Sequence, residues 1–308
     1  MLGAAAGLAA CLLLAALAPA RLARATWPAL APSYALVLWQ ALGLATGLLA
    51  VEVALAVGLA PAGGTPGTAG SALLAGGPAA VGALPWWSLL ALTVAAAVLL
   101  RLLTVLVSSA AGTVRARHRH RVLVDLVATR NPLLAGTRIV DHDLPLAYCL
   151  PGLRPRVVLS RGVLDLLRED EVRAVLAHET AHVEQRHDLV VLPFVALGVT
   201  FPSLPAVRIA RQQVALLIEM LADDRAVRTH PPEVLARALC KVGAATVPGG
   251  GLGVAVCSDD VQRRASRLLA PTVRLHPAAR GGVLAASAAL LLLPVLGLLL
   301  PGLLGPPG

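Results

Sequence analysis

The stretch that decides how this chain is read is AVLAHETAHVEQRHDL, residues 174–189. It gathers three histidines and two glutamates in a sequence that is otherwise rich in Ala, Leu, Val and Gly. No Pro or Gly occurs from Glu169 to Arg186, and Glu169, Asp170 and Glu171 open the run. Acidic residues in a first turn complement the positive end of a helix dipole, so one helix is expected through Arg186. Residues four apart lie about 40° apart around a helix axis, which lets the imidazoles of His178 and His182 reach one ion. With Glu179 beside the first of them, the pattern is H-E-x-x-H, two zinc ligands and a general base. Chance supplies such a match in roughly one chain in two hundred of this composition, the risk against which a motif is judged. His187 lies five residues past His182, rotated by about 140°. It is expected to point away, as a second-layer or surface residue.

The surroundings of the motif are apolar. Of the 308 residues, 57% are hydrophobic and only 14% charged, against about 25% charged in soluble domains. Mean hydropathy is +0.78. Apart from Glu52, every Asp and Glu lies between Asp125 and Asp260, so the acidic residues form an island between apolar tracts. The net charge of +9 comes almost wholly from arginine, Lys241 being the one lysine. No basic stripe is interleaved with aromatic residues, which argues against direct nucleic-acid binding. Cys11, Cys149, Cys240 and Cys257 show no C-x-x-C spacing and no disulfide framework.

A helix needs about 20 apolar residues to cross a bilayer. Leu2–Ala20, Tyr34–Ala60 and Leu84–Ala110 qualify before the island, and Gly282–Leu304 after it. The first lacks the basic start of a signal peptide and is read as a retained span. Arg21, Arg24 and RARHRHR (115–121) flank the spans on one side, whereas the loop 61–83 carries no charge. The positive-inside rule then puts the island in the cytoplasm and the Gly/Pro-rich loop outside as a flexible connector. The tract LVVLPFVALGVTFPSLPAV, 189–207, is apolar but holds Pro193, Pro202 and Pro205. It is expected as a re-entrant hairpin, a helix on the membrane, or core of the island. Glu52 and Arg101 lie inside spans, the first being a functional candidate and the second free to snorkel.

Within the island, residues 113–129 read as a basic juxtamembrane helix suited to anionic lipid, with His118 and His120 part of that cluster. Arg138–Val140, Ala147–Leu150 and Arg156–Leu159 read as short strands, the last two linked by the turn PGLRP. Catalytic zinc keeps three protein ligands, and the best third ligand is Glu219, the single glutamate in the apolar run ALLIEMLADDRAV, 215–227. A lone carboxylate there is costly unless it is held by an ion. Asp223, one turn later, is placed to accept the far N–H of a ligating histidine.

H-E-x-x-H at 178–182 followed by E-x-x-x-D at 219–223 resembles the gluzincin membrane metallopeptidases. The wider pattern RVVLSRGVLDLLREDEVRAVLAHETAHVEQRHD, then EMLADDRAV, most resembles the Bla/Mec antirepressor peptidases in their actinobacterial form, over roughly residues 140–270. The resemblance implies zinc held by His178, His182 and Glu219, with Glu179 as catalytic base and Asp223 behind the ligands. It also suggests that Arg264 or Arg267 of VQRRASRLL touches substrate or the active-site helix. Sensor members of that group continue into a penicillin-binding domain, and with the sequence ending at Gly308 a form lacking it is expected. The heat-shock and CAAX-processing membrane proteases share the zinc motifs and form the second resemblance.

The expected fold is therefore a multi-span α-helical membrane protein with an inserted cytoplasmic α+β zincin-like metallopeptidase domain. Three transmembrane helices occupy 1–112, the peptidase domain 113–280 with 189–207 membrane-associated or re-entrant, and a last transmembrane helix 281–308. The expected function is Zn2+-dependent endopeptidase action at the cytoplasmic face of a bacterial membrane, on a protein substrate such as a cytosolic transcriptional repressor or the enzyme itself. Membrane-protein quality control, or a non-catalytic sensor with structural zinc, are the alternatives. A strand edge at Ala147–Leu150 or Arg156–Leu159 is expected to hold the substrate by β-augmentation.

Overall fold

The computed structural model describes residues 17–63, 66–130, 137–150, 156–245, 259–271 and 273–299. Residues 17–24 are helical, and residues 2–16 of the expected span Leu2–Ala20 lie outside the described set. A short helix, α1 (Trp27–Leu30), leads into α2 (Pro32–Leu59), which Pro32 opens at its first position; proline's fixed φ and missing N–H suit that place. α2 and the 42-residue α4 (Trp86–Val127) are long and apolar enough to cross a membrane. They lie close together because Gly58 has no side chain. A Cβ there would fall 2.7 Å from Leu92.

Between them lies a difference from expectation. The uncharged loop read as a flexible connector contains a helix, α3 (Pro66–Gly82). Gly77 breaks it with φ 61°, just before Pro78. Alanine-rich sequence outweighs scattered glycine here, and only the Gly-Pro pair interrupts the helix. The basic segment 113–127 is not a separate element either, since it continues α4 without interruption.

After α4 the chain forms a four-stranded sheet of β1 (Thr129–Arg130), β2 (Thr137–Val140), β3 (Ala147–Leu150) and β4 (Arg156–Ser160). The order is β1-β2-β4-β3, with β2 parallel and β3 antiparallel to β4. The expected strand pair joined by PGLRP is the β3–β4 pair, Tyr148 standing opposite Val158. β4 is interior, so Arg156–Leu159 offers no free edge and only β3 of the two expected strands lies at the rim. The β-branched and apolar residues of β4 explain its central place, Val158 and Leu159 being fully buried.

Ser160 caps the short α5 (Arg161–Leu166), accepting from the Val163 N–H at 3.1 Å. α6 (Glu169–Glu184) begins where the Arg168 N–H donates to Glu171 Oε2 at 2.9 Å. It ends two residues before the expected Arg186, because Arg186 adopts a left-handed conformation (φ 49°, ψ 43°) and turns the chain. The apolar tract then becomes α7 (His187–Thr200), and a turn at 201–204 returns the chain through α8 (Pro205–Ala226). α7 and α8 pack on each other and on α2, and α7 also packs on α4. Trp39 and Leu42 of α2, Phe194 of α7 and Val214, Leu217 and Ile218 of α8 share one core. A second core joins β4, α5, α6 and α9 (Pro232–Ala245) through Leu159, Val163, Val172, Val175 and Ala238. α10 (Asp259–Leu269) packs on α9 and α8, and α11 (Pro277–Leu299) lies along α2. α11 begins five residues before the expected last span, whose end, 300–304, lies outside the described residues.

Candidate metal centre

α6 and α8 pack so that the His178–His182 face of one meets an acidic face of the other. α8 is amphipathic in an unusual way: Leu216, Leu217, Ile218 and Met220 anchor it in apolar core, while Glu219 and Asp223 share a face one turn apart. That face meets His178 and His182. His178 Nε2 and His182 Nε2 lie 3.2 Å apart. Glu219 Oε2 lies 3.3 Å from the first and Oε1 3.5 Å from the second. Zinc bonds these donors tetrahedrally at about 2.0–2.1 Å, which requires donor separations of about 3.3 Å. The three groups thus already span a metal-sized triangle, the His/His/Glu set among the described residues whose ligand atoms converge.

The supports behind the triangle fix which nitrogen faces it. Asp223, wholly buried, has Oδ1 2.9 Å from His178 Nδ1, leaving Nε2 toward Glu219. On the other side, His187 Nε2–H donates to Gln185 Oε1 at 2.9 Å, and His187 Nδ1 lies 2.9 Å from His182 Nδ1. Burial, then the neighbouring His182, pushes the His187 pKa down to about 4, so its ring is neutral and its Nδ1 accepts from His182. His182 therefore also presents a bare Nε2. His187 is second-layer and buried, not a surface residue pointing away: the turn at Arg186 swings it back, which a continuous helix would not do.

Arg264, which the resemblance brought to substrate or to the active-site helix, reaches that helix, its Nη2 lying 3.5 Å from His178 Nε2. It is buried, donating through Nε to Asp223 Oδ2 at 2.9 Å and through Nη2 to Oδ1 at 2.8 Å. Its Nη1 lies 2.9 Å from Glu219 Oε2. It braces the acidic face of α8 and has little surface left for a substrate. Arg267 turns elsewhere, holding Asp224 at 2.7 Å and the Ala29 carbonyl at 2.6 Å. That pair ties α10 to the chain's first described segment and stands apart from the triangle.

The electrostatics call for a cation. Burial acts to lower the His178 pKa, but Asp223 and Glu219 outweigh it and hold it up at about 9. A proton there supplies positive charge that a metal ion would replace. Glu179 lies on the same helix with its carboxyl raised to about 7, by burial first and by the Glu219 charge. The backbone N–H of Cys149, on rim strand β3, reaches that carboxyl. Burial and Glu179 together push the Cys149 thiol up to about 11. The arrangement thus combines a three-donor metal triangle, an adjacent carboxylate base and an outer strand beside it.

Residues 114–234 match the model of Peptidase family M48, a segment that contains all three members of the triangle and Glu179 but neither Arg264 nor Arg267. The chain is 40% identical over 72 residues to the Protease HtpX homolog of Aeropyrum pernix, covering 22% of this chain and 23% of that one. It is 32% identical over 74 residues to the Protease HtpX homolog of Aquifex aeolicus, covering 23% and 24%. For that of Methanothermobacter thermautotrophicus the figures are 34% over 84 residues, covering 25% and 31%. The chain thus spans about a quarter to a third of the length of the curated relatives it matches. No solved structure matches the chain.

Proposed function

We propose that the protein is a membrane-embedded zinc-dependent endopeptidase whose site is His178, Glu179, His182 and Glu219. The observation that carries this is the triangle of donors at 3.2, 3.3 and 3.5 Å with a buried carboxylate base beside it. Zinc held there would supply Lewis acidity toward a peptide carbonyl and a water molecule. Glu179 then takes the water's proton on its carboxylate and returns it to the leaving amine, a transfer suited to a pKa near the working pH. Asp223 and His187 hold the two imidazoles in the tautomers that expose Nε2. β3 lines the approach, and its outer edge offers backbone groups to an extended peptide.

The membrane placement is part of the same reading. It is supported by the two long apolar helices and by arginines that cluster beside them at 21, 24 and 115–121 while 61–83 carries no charge. By the positive-inside rule the site faces the cytoplasm. The substrate we assign is a protein cut for regulation, a cytosolic transcriptional repressor or the enzyme itself. The relatives' description as HtpX-type proteases favours a second reading, turnover of membrane proteins. A non-catalytic site needs no base beside its ligands, so Glu179 weighs against structural zinc.

The deciding variant is Glu179→Gln. Zinc content should stay at the wild-type level while proteolysis of a casein or membrane-peptide substrate falls by about a thousandfold or more. Full proteolysis in that variant would sink the mechanism. Comparing proteins that accumulate in cells carrying it separates the two substrate readings: one repressor for regulation, a broad set of membrane proteins for turnover.

A further inference from the structure

Away from the triangle, α2, α4 and α7 line a half-open cavity of about 310 Å³. Leucines of α2 and α4 form its walls, closed on one side by Pro193, Ala196 and Leu197 of α7. Gly47 leaves room in it, since nothing lies closer than 3.7 Å to where its Cβ would stand, whereas a Gly43 Cβ would meet Phe194 at 3.2 Å. One ionisable residue lies in the apolar lining, the half-buried Glu52. Among the described residues Glu52 has no hydrogen bond or ion pair. Arg101 does not serve it, because the lining side of α4 is Leu99, Leu102, Leu103 and Leu106. Arg101 is rotated by about 100° from Leu102 and is exposed.

An ionisable group facing an apolar cavity within a membrane-spanning bundle is expensive unless a partner meets it. The leucine walls accept an alkyl chain, and the carboxyl accepts a cation. We propose that this cavity binds a membrane-soluble cationic amphiphile, a long-chain alkyl amine, with its ammonium on Glu52 and its chain between α2 and α4. A neutral lipid tail would fill the same walls but leave the carboxyl unpaired, so charge complementarity selects the amine. The occupant borders α7, the helix that starts at His187 and so at the support of His182. The proposal rests on the membrane placement given above, not on the peptidase chemistry.

The test uses the full chain in nanodiscs of zwitterionic lipid and radiolabelled dodecylamine at pH 7, with dodecanol as the neutral probe and empty discs as background. Saturable amine binding is expected, weakened by about tenfold or more in Glu52→Gln, while dodecanol binds both proteins alike. Gly47→Leu should block the amine by filling the cavity; should it not assemble, Leu103→Phe does the same from the opposite wall. Equal amine affinity in wild type and Glu52→Gln, or equal affinity for amine and alcohol in wild type, would overturn the proposal. A chain washed off membranes by alkaline carbonate refutes the membrane placement itself. A retained chain that shows no saturable amine binding refutes only the cavity's role.

Discussion

Two carboxylates among the described residues are completely withdrawn from solvent, Glu171 near the start of α6 and Asp223 behind its histidines. Their surroundings differ in charge. Glu171 meets Lys241 Nζ at 2.6 Å, Arg237 Nε at 3.5 Å and the Arg168 backbone N–H at 2.9 Å. One anion there has two cations and a helix N-terminus. Asp223 shares its guanidinium, Arg264, with Glu219, and the Glu179 carboxyl stands close enough for both to affect its charge. Three carboxyl groups therefore answer to one fixed cation, Arg264, and to the proton on His178 that a metal ion would replace. A cluster balanced by side chains is a structural joint; one left short of positive charge is a place for a metal ion, because buried charge must be compensated.

Removing a donor should break the contrast most sharply. Glu219→Ala is expected to lose its zinc and to lower proteolysis by more than about a thousandfold; metal analysis showing unchanged zinc would refute the ligand assignment. Asp223→Asn keeps the size but not the charge behind His178. It should weaken zinc binding by about 10–100-fold in a chelator competition, and an unaltered affinity would remove Asp223 from the support of the site. Glu171→Ala is the counterpart in the balanced cluster. It should cost about 2 kcal/mol of stability in denaturant unfolding, less than a fully buried pair because Lys241 and Arg237 can rehydrate. Zinc affinity should not move, and a parallel loss of affinity would erase the distinction between the two clusters.

Acid should sharpen it more gently. Burial works against ionisation of Glu171, but Lys241, Arg168 and Arg237 outweigh it and hold its pKa below the ordinary 4.5. A depressed carboxylate contributes stability above its unfolded value and loses it as pH falls through the folded one. The stability gap between wild type and Glu171→Ala should be full at pH 6–7 and shrink below about pH 4.5. A gap that stays constant through that range would show that Glu171 acts by packing and not by charge.

Much of the site was legible because its chemistry is local or costly. His178 and His182 follow from helix periodicity, and Glu219 from the expense of a lone carboxylate in an apolar run. The β3–β4 pair follows from two short runs flanking PGLRP, whose own residues 151–155 lie outside the described set. What could not be read depends on tertiary geometry. A non-glycine residue in the left-handed region, Arg186, reverses the direction of His187, and side-chain periodicity carries no sign of it. Arg264 reaches Asp223 across 41 residues, and only the packing of α10 on α8 turns it inward. The edge strand was ambiguous for a similar reason, since the parallel β2–β4 pairing that buries β4 joins segments separated by a strand and two loops.

α4 carries a last consequence. It runs unbroken for 42 residues from the apolar segment to the sheet, a rod of about 63 Å, roughly twice the thickness of a bilayer's hydrocarbon core. With no hinge along it, the sheet at its far end stands at a set height and a set compass bearing. An extra turn of four residues near Ser109 would lift the sheet by about 6 Å and swing it by about 40°. The helix acts as a yardstick between the apolar bundle and the sheet.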